Sequence, residues 1–141
     1  MILRINPGSF DPSFVGIEFG LVKKRVHHKL ADLTSLDLTK VRLATNAEMK
    51  ANKKLIPLNA DIFMAFWENQ NLIPQEWKEN VDGKSTTVYF DGTEITDKFR
   101  RRQVICMWWY NRWKWGYTDA YNRSIGTTYP ASVCLAAVYE S

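Results

Sequence analysis

The spacing of apolar residues along this chain changes from helical to alternating near residue 83. Before that point, one stretch carries a single helical stripe of apolar residues, which are Ile62, Phe63, Phe66 and Trp67. This stripe predicts an amphipathic helix. Asn59 is suited to cap its start, and Asp61 lies in the first turn, where the helix dipole favours a negative charge. From Ser85 onward, apolar and polar residues alternate as they do in strands.

The chain of 141 residues is predicted to form one domain of the α+β class, with short helices packed on a C-terminal antiparallel β-sheet. Residues 1–13 contain two prolines and a glycine, and they are expected to form an irregular lead-in. Residues 14–82 are expected to form an α+β portion and residues 83–141 an antiparallel β meander. A chain of this length can bury a core without a metal or a disulfide.

Several local signals predict where elements start and turn. Asn46 is expected to cap a short helix, and Pro74 suits the first position of another. The dipeptide Asp91–Gly92 is the strongest hairpin signal in the chain. Residues 14–26 are expected to be extended, whereas the apolar residues 130–140 leave strand and short helix open.

Four of the six tryptophans lie within eight residues, from Trp108 to Trp115. Two strands joined by a two-residue loop at Asn111–Arg112 are predicted there. In that register one face carries six residues, which are Cys106, Trp108, Tyr110, Trp113, Trp115 and Tyr117. The opposite face carries Trp109 beside Lys114.

This aromatic face has two interpretations. Burial of each ring is worth about 1.5–3 kcal/mol, which favours packing of the face against the helix stripe. In the alternative, exposed rings stack nucleobases while nearby cations neutralise phosphates. The residues predicted to contact a partner are one ring and the cations around the hairpin, which are Trp109, Arg100, Arg101, Arg102, Arg112 and Lys114.

The positive charge of the chain is modest, at +4, but it is unevenly distributed. Lys98–Arg123 contains seven basic residues and one acidic residue, whereas the rest of the chain contains 12 basic and 14 acidic residues. This asymmetry favours contact with an anionic partner. Lysine and arginine on strand edges also serve to prevent aggregation, so the pattern is compatible with a plain solvated edge.

The sequence contains no motif for catalysis, for a metal or for a cofactor. Its two histidines, His27 and His28, are adjacent, so they would point to opposite faces of a strand and make poor co-ligands. Cys106 and Cys134 lie in apolar runs and are expected to be buried thiols. No cofactor and no metal are therefore predicted.

Nothing in the sequence predicts a membrane protein. No segment approaches the roughly 18 apolar residues of a membrane-spanning helix. The N-terminus lacks the continuous apolar core of a signal peptide. A cytoplasmic location without a membrane partner is expected.

Six runs of residues, in this order, resemble a family of small bacterial proteins that has no assigned function. They are FDPSFVG, LTSLDLTKVRL, LNADIFMAFWENQNLIPQEWKE, TTVYFDGTEI, VICMWWYNRWKWGY and PASVCLA. The resemblance covers residues 10–136 and implies a single domain, but no activity and no site residues. Members of that family tend to have glycines where this chain has Asn111–Arg112, and a neutral connection where it has Lys98–Arg102.

Three functions are compatible with these observations. The leading hypothesis is a small non-catalytic binding protein that acts on another macromolecule, expected to be a protein. The alternative is binding of single-stranded RNA or DNA through the basic and aromatic hairpin. The weakest is an enzyme with a carboxylate-based site.

Overall fold

The computed structural model describes residues 1–16, 25–81, 84–120 and 134–141. These residues form three α-helices, which are α1 (His28–Ala31), α2 (Asn46–Ala51) and α3 (Ala60–Glu68). They also form eleven strands, which are β1 (Ile2–Arg4), β2 (Ser35–Asp37), β3 (Val41–Ala44), β4 (Leu55–Pro57), β5 (Asn80–Val81), β6 (Lys84–Ser85), β7 (Thr87–Tyr89), β8 (Ile95–Thr96), β9 (Arg102–Trp109), β10 (Trp113–Asp119) and β11 (Cys134–Glu140). The predicted α+β class is confirmed.

Seven of these strands form one sheet in the order β10–β9–β7–β11–β3, with β4 beside β11 and β8 beside β9. Every pair in this sheet is antiparallel except β7–β11. β3 and β4 pair with overlapping parts of β11, so they lie on its opposite sides. The C-terminal tail, whose sequence left strand and helix open, is therefore an interior strand. Its insertion between β3 and β7 interrupts the predicted meander.

Helix α3 packs on one face of the sheet. Asn59 caps it as predicted, because its side-chain oxygen accepts the backbone N–H of Ile62 at 3.0 Å. Phe63 and Phe66 on the predicted stripe are fully buried. The ring of Phe63 meets that of Phe90, at the end of β7, with 5.3 Å between centroids. The helix stripe and the sheet thus share one core.

The N-terminal segment is more regular than its composition predicts. Strand β1 pairs with β2 in an antiparallel ladder, and Leu3 is completely buried. The carboxylate of Asp61 accepts the backbone N–H groups of Gly8 and Phe10, each at 2.9 Å. Asp61 therefore holds this segment against the first turn of α3, in addition to its favourable position near the helix dipole. The prediction of an irregular lead-in was wrong for β1.

The dipeptide Asp91–Gly92 does not form the predicted hairpin, because β8 pairs with β9 and not with β7. Gly92 lies instead against the backbone that follows β4. Its N–H donates to the carbonyl of Leu58 at 2.9 Å, and a Cβ added to Gly92 would lie 2.8 Å from that oxygen. A glycine required for close approach of two backbones looks the same in sequence as a glycine required for a turn.

The hairpin of β9 and β10 has a register one residue away from the predicted one. Trp113 pairs with Trp109 and not with Tyr110. The connection is three residues long, with Asn111 in the left-handed region at φ 61°. A shift of one residue exchanges the two faces of a strand. Trp109 therefore lies on the α3 face with Trp113, and Trp108 lies on the opposite face.

Two helix starts also differ from prediction. Thr45, and not Asn46, caps α2: its hydroxyl accepts the N–H of Glu48 at 3.1 Å, and the Glu48 carboxylate accepts the N–H of Thr45 at 3.3 Å. This reciprocal pair is a capping box. Pro74 precedes a 3-10 helix, Gln75–Lys78, and does not occupy its first position.

Some predictions fall outside the described residues. The extended segment predicted at 14–26 lies largely there, although Phe14 belongs to a 3-10 helix, Pro12–Val15. The side chain of Cys134 also lies outside them. Cys106 is buried, as expected.

Candidate functional site

Strand β10 is the outermost strand of the sheet in the described part of the chain, and alternate backbone groups on it face outward. Phe90 donates its N–H to the carbonyl of Ile105 at 3.0 Å, so the odd-numbered residues of β9 bond toward β7. The even-numbered residues of β9 then bond toward β10. The even-numbered residues of β9 pair with even-numbered residues of β10, so these residues of β10 form the hydrogen bonds to β9. The N–H and C=O groups of the odd-numbered residues Trp113, Trp115 and Tyr117 therefore point away from the sheet.

A groove of about 520 Å³ lies beside this strand. The described residues of its lining are four tryptophans, two cations and one amide, which are Trp67, Gln70, Trp108, Arg112, Trp113, Lys114 and Trp115. We call it the aromatic groove. Trp113 is buried and the other three tryptophans are half-buried, so parts of their rings remain accessible. None of the described residues in this lining is acidic, so this part of the lining is positively charged.

Contacts with neighbours fix the position of two rings in this groove. Trp115 packs on Phe14 with 4.8 Å between ring centroids. Trp108, on the other face of the sheet, lies over Gly116, where an added Cβ would be 3.2 Å from the indole ring. The glycine thus gives the Trp108 ring room beside β10. Trp113 and Trp115 on the α3 face and Trp108 on the opposite face therefore all line the groove beside β10.

Trp109 does not line the aromatic groove. Its ring meets that of Trp113 edge to face at 5.4 Å, and the ammonium group of Lys78 lies 4.1 Å from its centroid. The ring is half-buried and packs against the main core. The prediction that Trp109 lies on the face opposite Trp113 was wrong, because it assumed the two-residue loop.

The residues predicted to contact a partner lie in two groups. Arg112 and Lys114 line the aromatic groove. Arg100, Arg101 and Arg102 lie at the other end of β9, which is eight residues long. At about 3.4 Å per residue, the two groups are about 24 Å apart. Closeness in sequence suggested one surface, but the length of the strand separates them.

The arginines at that end belong to a tight turn, residues 97–101, which we call the basic turn. The carboxylate of Asp97 accepts the backbone N–H groups of Phe99 and Arg101, both at 2.9 Å. It also accepts side-chain N–H groups of Arg101 at 3.0 Å and of Gln103 at 3.2 Å. Burial raises the pKa of Asp97, but the four hydrogen bonds together hold it below its usual value. The Phe99 ring at the tip is 65% exposed.

A second groove, of about 420 Å³, lies at the same end of the sheet. Its floor is apolar and consists of Met49, Pro57, Val104 and Ala120. Its walls are polar and consist of Arg25, His27, Asn46, Lys50, Lys53, Asp91, Glu94 and Arg102. We call it the charged groove. Among the described residues, four Lys and Arg side chains and two carboxylates line it, so this part of the lining has a net positive charge.

Glu94 is the centre of the ion pairs in the charged groove. Its two carboxylate oxygens lie 3.2 Å from Nη2 of Arg25 and 3.4 Å from Nη1 of Arg102. Glu94 is 13% exposed, whereas each arginine side chain is 59% exposed. Arg25 also donates to the backbone carbonyl of Asp91 at 3.0 Å. These contacts hold two guanidinium groups side by side on one wall.

His27 is half-buried in the wall of the charged groove. Burial lowers the pKa of its imidazole, the charge of Arg25 lowers it further, and the charge of Asp91 offsets part of the change. The net shift is downward, so this histidine is neutral at neutral pH.

An enzyme with a carboxylate-based site would need convergent carboxylates available to a substrate. Glu94 is bound by two arginines, Asp61 holds the N-terminal segment, and Asp97 holds the basic turn. Over the described ranges, no group of three His, Cys, Asp or Glu side chains is placed to hold a metal ion. These contacts give each of the three carboxylates a structural role.

Sequence reasoning missed several residues of both grooves. Trp67 was assigned only to the helix stripe, and Gln70 lies just beyond the end of α3. Arg25 and Glu94 are far apart in sequence, so no local pattern could indicate that they form an ion pair. Only the fold brings Trp67 and Gln70 to the aromatic groove, and Arg25 and Glu94 to the charged groove.

In the described part of the chain, every helix is too short or too polar to span a membrane. No family model matches the chain, and no curated protein and no solved structure is significantly similar to it. The resemblance to small bacterial proteins stays a prediction.

Proposed function

We propose that this protein is a small, non-catalytic, cytoplasmic binding protein whose partner is another protein. An extended, acidic segment of that partner adds to the outer edge of β10 and places its side chains in the aromatic groove. One observation carries the proposal: the outward N–H and C=O groups of Trp113, Trp115 and Tyr117 lie on a strand that has no further partner strand among the described residues. Strand addition is a common mode of peptide recognition.

The groove supplies side-chain selectivity for such a segment. In an added strand, alternate side chains of the peptide point to the same face, so every second residue would meet the tryptophans. Partly exposed indole rings bury large apolar areas and are typical of sites that dominate binding energy. Arg112 and Lys114 add positive charge, which complements an acidic peptide and raises its association rate.

Single-stranded RNA or DNA is the second candidate, and it receives less support. A nucleic acid backbone needs cations along its path beside the stacking rings. The described lining of the aromatic groove has two cations, and the three arginines lie about 24 Å away along β9. Of these, Arg101 is bound to Asp97, and Arg102 is bound to Glu94.

The test is selection of peptides from a display library of random twelve-residue sequences, followed by anisotropy measurements on the selected peptide. We expect acidic sequences in which apolar residues alternate. N-methylation of alternate backbone amides in that peptide should abolish binding, because it removes the donors that pair with β10 while it keeps the side chains.

Two charge-reversed variants give a matched comparison. Arg112→Glu/Lys114→Glu should weaken binding at least about tenfold, whereas Lys29→Glu/Lys40→Glu, at exposed positions outside the groove, should leave it within about twofold. Enrichment of no peptide, or equal losses in both variants, would contradict the proposal. Tight binding of a single-stranded oligonucleotide that is lost in Arg112→Glu/Lys114→Glu would favour the second candidate.

A further inference from the structure

The charged groove has cations on more than one element of the fold. Lys50 lies in α2 and Lys53 lies two residues beyond its end, and both side chains line the groove. Arg25 and Arg102 belong to other parts of the chain and are held by Glu94. Lysine and arginine side chains from these elements line one concave surface.

The Glu94 carboxylate neutralises one positive charge and leaves the other available. Its contacts occupy Nη2 of Arg25 and Nη1 of Arg102. A guanidinium has five N–H donors, so each arginine retains donors for a ligand. Both arginine side chains are more than half exposed, whereas Glu94 is almost buried. The carboxylate therefore binds the two guanidinium groups on the side that faces the protein interior.

We propose that the charged groove binds a small molecule that carries a phosphate monoester on a body with a flat aromatic ring, such as a nucleoside monophosphate. Arginine is well suited to bind phosphate in a bidentate manner, and lysine contributes a mobile point charge. The floor of Met49, Pro57 and Val104 offers apolar contact to the body of the ligand. The volume of about 420 Å³ lies within the usual range of small-molecule sites, which is about 300–1,000 Å³.

This site is independent of the proposed protein partner. The charged groove contains Arg102, at the start of β9, whereas the aromatic groove contains Arg112, just beyond its end. The two grooves share no lining residue in the part of the chain that the structure describes. A variant of one groove therefore leaves the other intact, and the two proposals fail separately.

The test is calorimetric titration of the full chain at low salt with adenosine monophosphate, phenyl phosphate, adenosine and inorganic phosphate. We expect adenosine monophosphate and phenyl phosphate to bind more tightly than inorganic phosphate, because they also contact the apolar floor, and adenosine to bind least. Lys50→Gln/Lys53→Gln should weaken binding of the two monoesters about tenfold, since it removes two charge-assisted contacts.

A matched control lies next in the chain. Lys54 is exposed, lies outside the groove lining, and carries the same charge as Lys53, so Lys54→Gln should change the affinity less than about twofold. Arg102→Gln is the second test of the site and should weaken monoester binding in a protein whose circular dichroism is unchanged.

Three results would overturn the proposal. The first is no binding of either monoester at millimolar concentration. The second is equal loss in Lys54→Gln and in the single variant Lys53→Gln, which remove the same charge, and this would show attraction to overall charge alone. The third is binding of a 5′-phosphorylated oligonucleotide through these residues without binding of the free monoesters, which would assign the groove to the end of a nucleic acid.

Discussion

Gly92 and Leu58 are in direct backbone contact: the N–H of Gly92 donates to the carbonyl of Leu58 at 2.9 Å, and a Cβ on Gly92 would lie 2.8 Å from the same oxygen. This contact joins the residue after β4 to the connection between β7 and β8. Because both strands pair along the sheet, neither backbone can shift without loss of ladder hydrogen bonds.

We predict that Gly92→Ala lowers the free energy of unfolding by about 2–3 kcal/mol, as overpacking against rigid backbone does. Chemical denaturation measures this change. Gly116→Ala is the matched control, since its Cβ would meet only the side chain of Trp108, at 3.2 Å. That side chain can move, so the control should lose less stability. The reverse ranking would show that the contact with Leu58 is not rigid.

Trp109 is predicted to stabilise the fold and not to bind the partner. It packs on Trp113 and under Lys78, so Trp109→Ala should cost about 2–3 kcal/mol of unfolding free energy. Tyr110→Ala should cost less than about 0.5 kcal/mol, because that side chain is 62% exposed. Peptide affinity should be retained in folded Trp109→Ala. A large loss of affinity without loss of stability would restore Trp109 as a binding residue.

The charge of His27 should make stability depend on pH. Because its pKa is lowered in the folded state, the unfolded chain binds the proton more tightly, and stability falls as pH drops below the unfolded value of about 6.5. We expect His27→Gln to reduce the slope of unfolding free energy between about pH 7 and pH 5. His27→Asn also removes the imidazole and should reduce the slope to the same extent. Equal slopes in all three proteins would argue against this effect.

Asp97 should stabilise the basic turn only while it is ionised. Its lowered pKa means that its contribution is present above the ordinary aspartate pKa and is lost as pH falls through the folded value. Asp97→Asn should therefore lower the melting temperature at neutral pH, and the difference from wild type should shrink in acid. A constant difference across the acid range would indicate a purely steric role.

Helix α3 shows which features the sequence can predict. Its cap at Asn59, its acidic first turn and its apolar stripe all act within ten residues. Such interactions depend on the local chain and hardly on distant packing. The strands around the tryptophans follow in the same way from apolar composition, but of the rings on the predicted aromatic face only Trp113 is buried, whereas Tyr110 and Tyr117 are exposed.

Strand pairing could not be read in the same way. The register of β9 and β10 depends on whether their connection has two residues or three, and one residue decides whether Trp108 or Trp109 faces α3. Both connections are common in hairpins. Similarly, β11 pairs with β3, β4 and β7, all distant in sequence, so its interior position left no local signal beyond apolar composition.

The sequence by itself determined the α+β class, the position and cap of α3, and the concentration of tryptophans and cations in the C-terminal half, because each of these follows from local composition and periodicity. Only the tertiary structure decided that Arg112 and Lys114 lie apart from Arg100–Arg102, and that Glu94 meets Arg25. The physical reason is that these relationships depend on the length, register and order of strands. Those are set by long-range pairing among alternatives that local sequence does not distinguish.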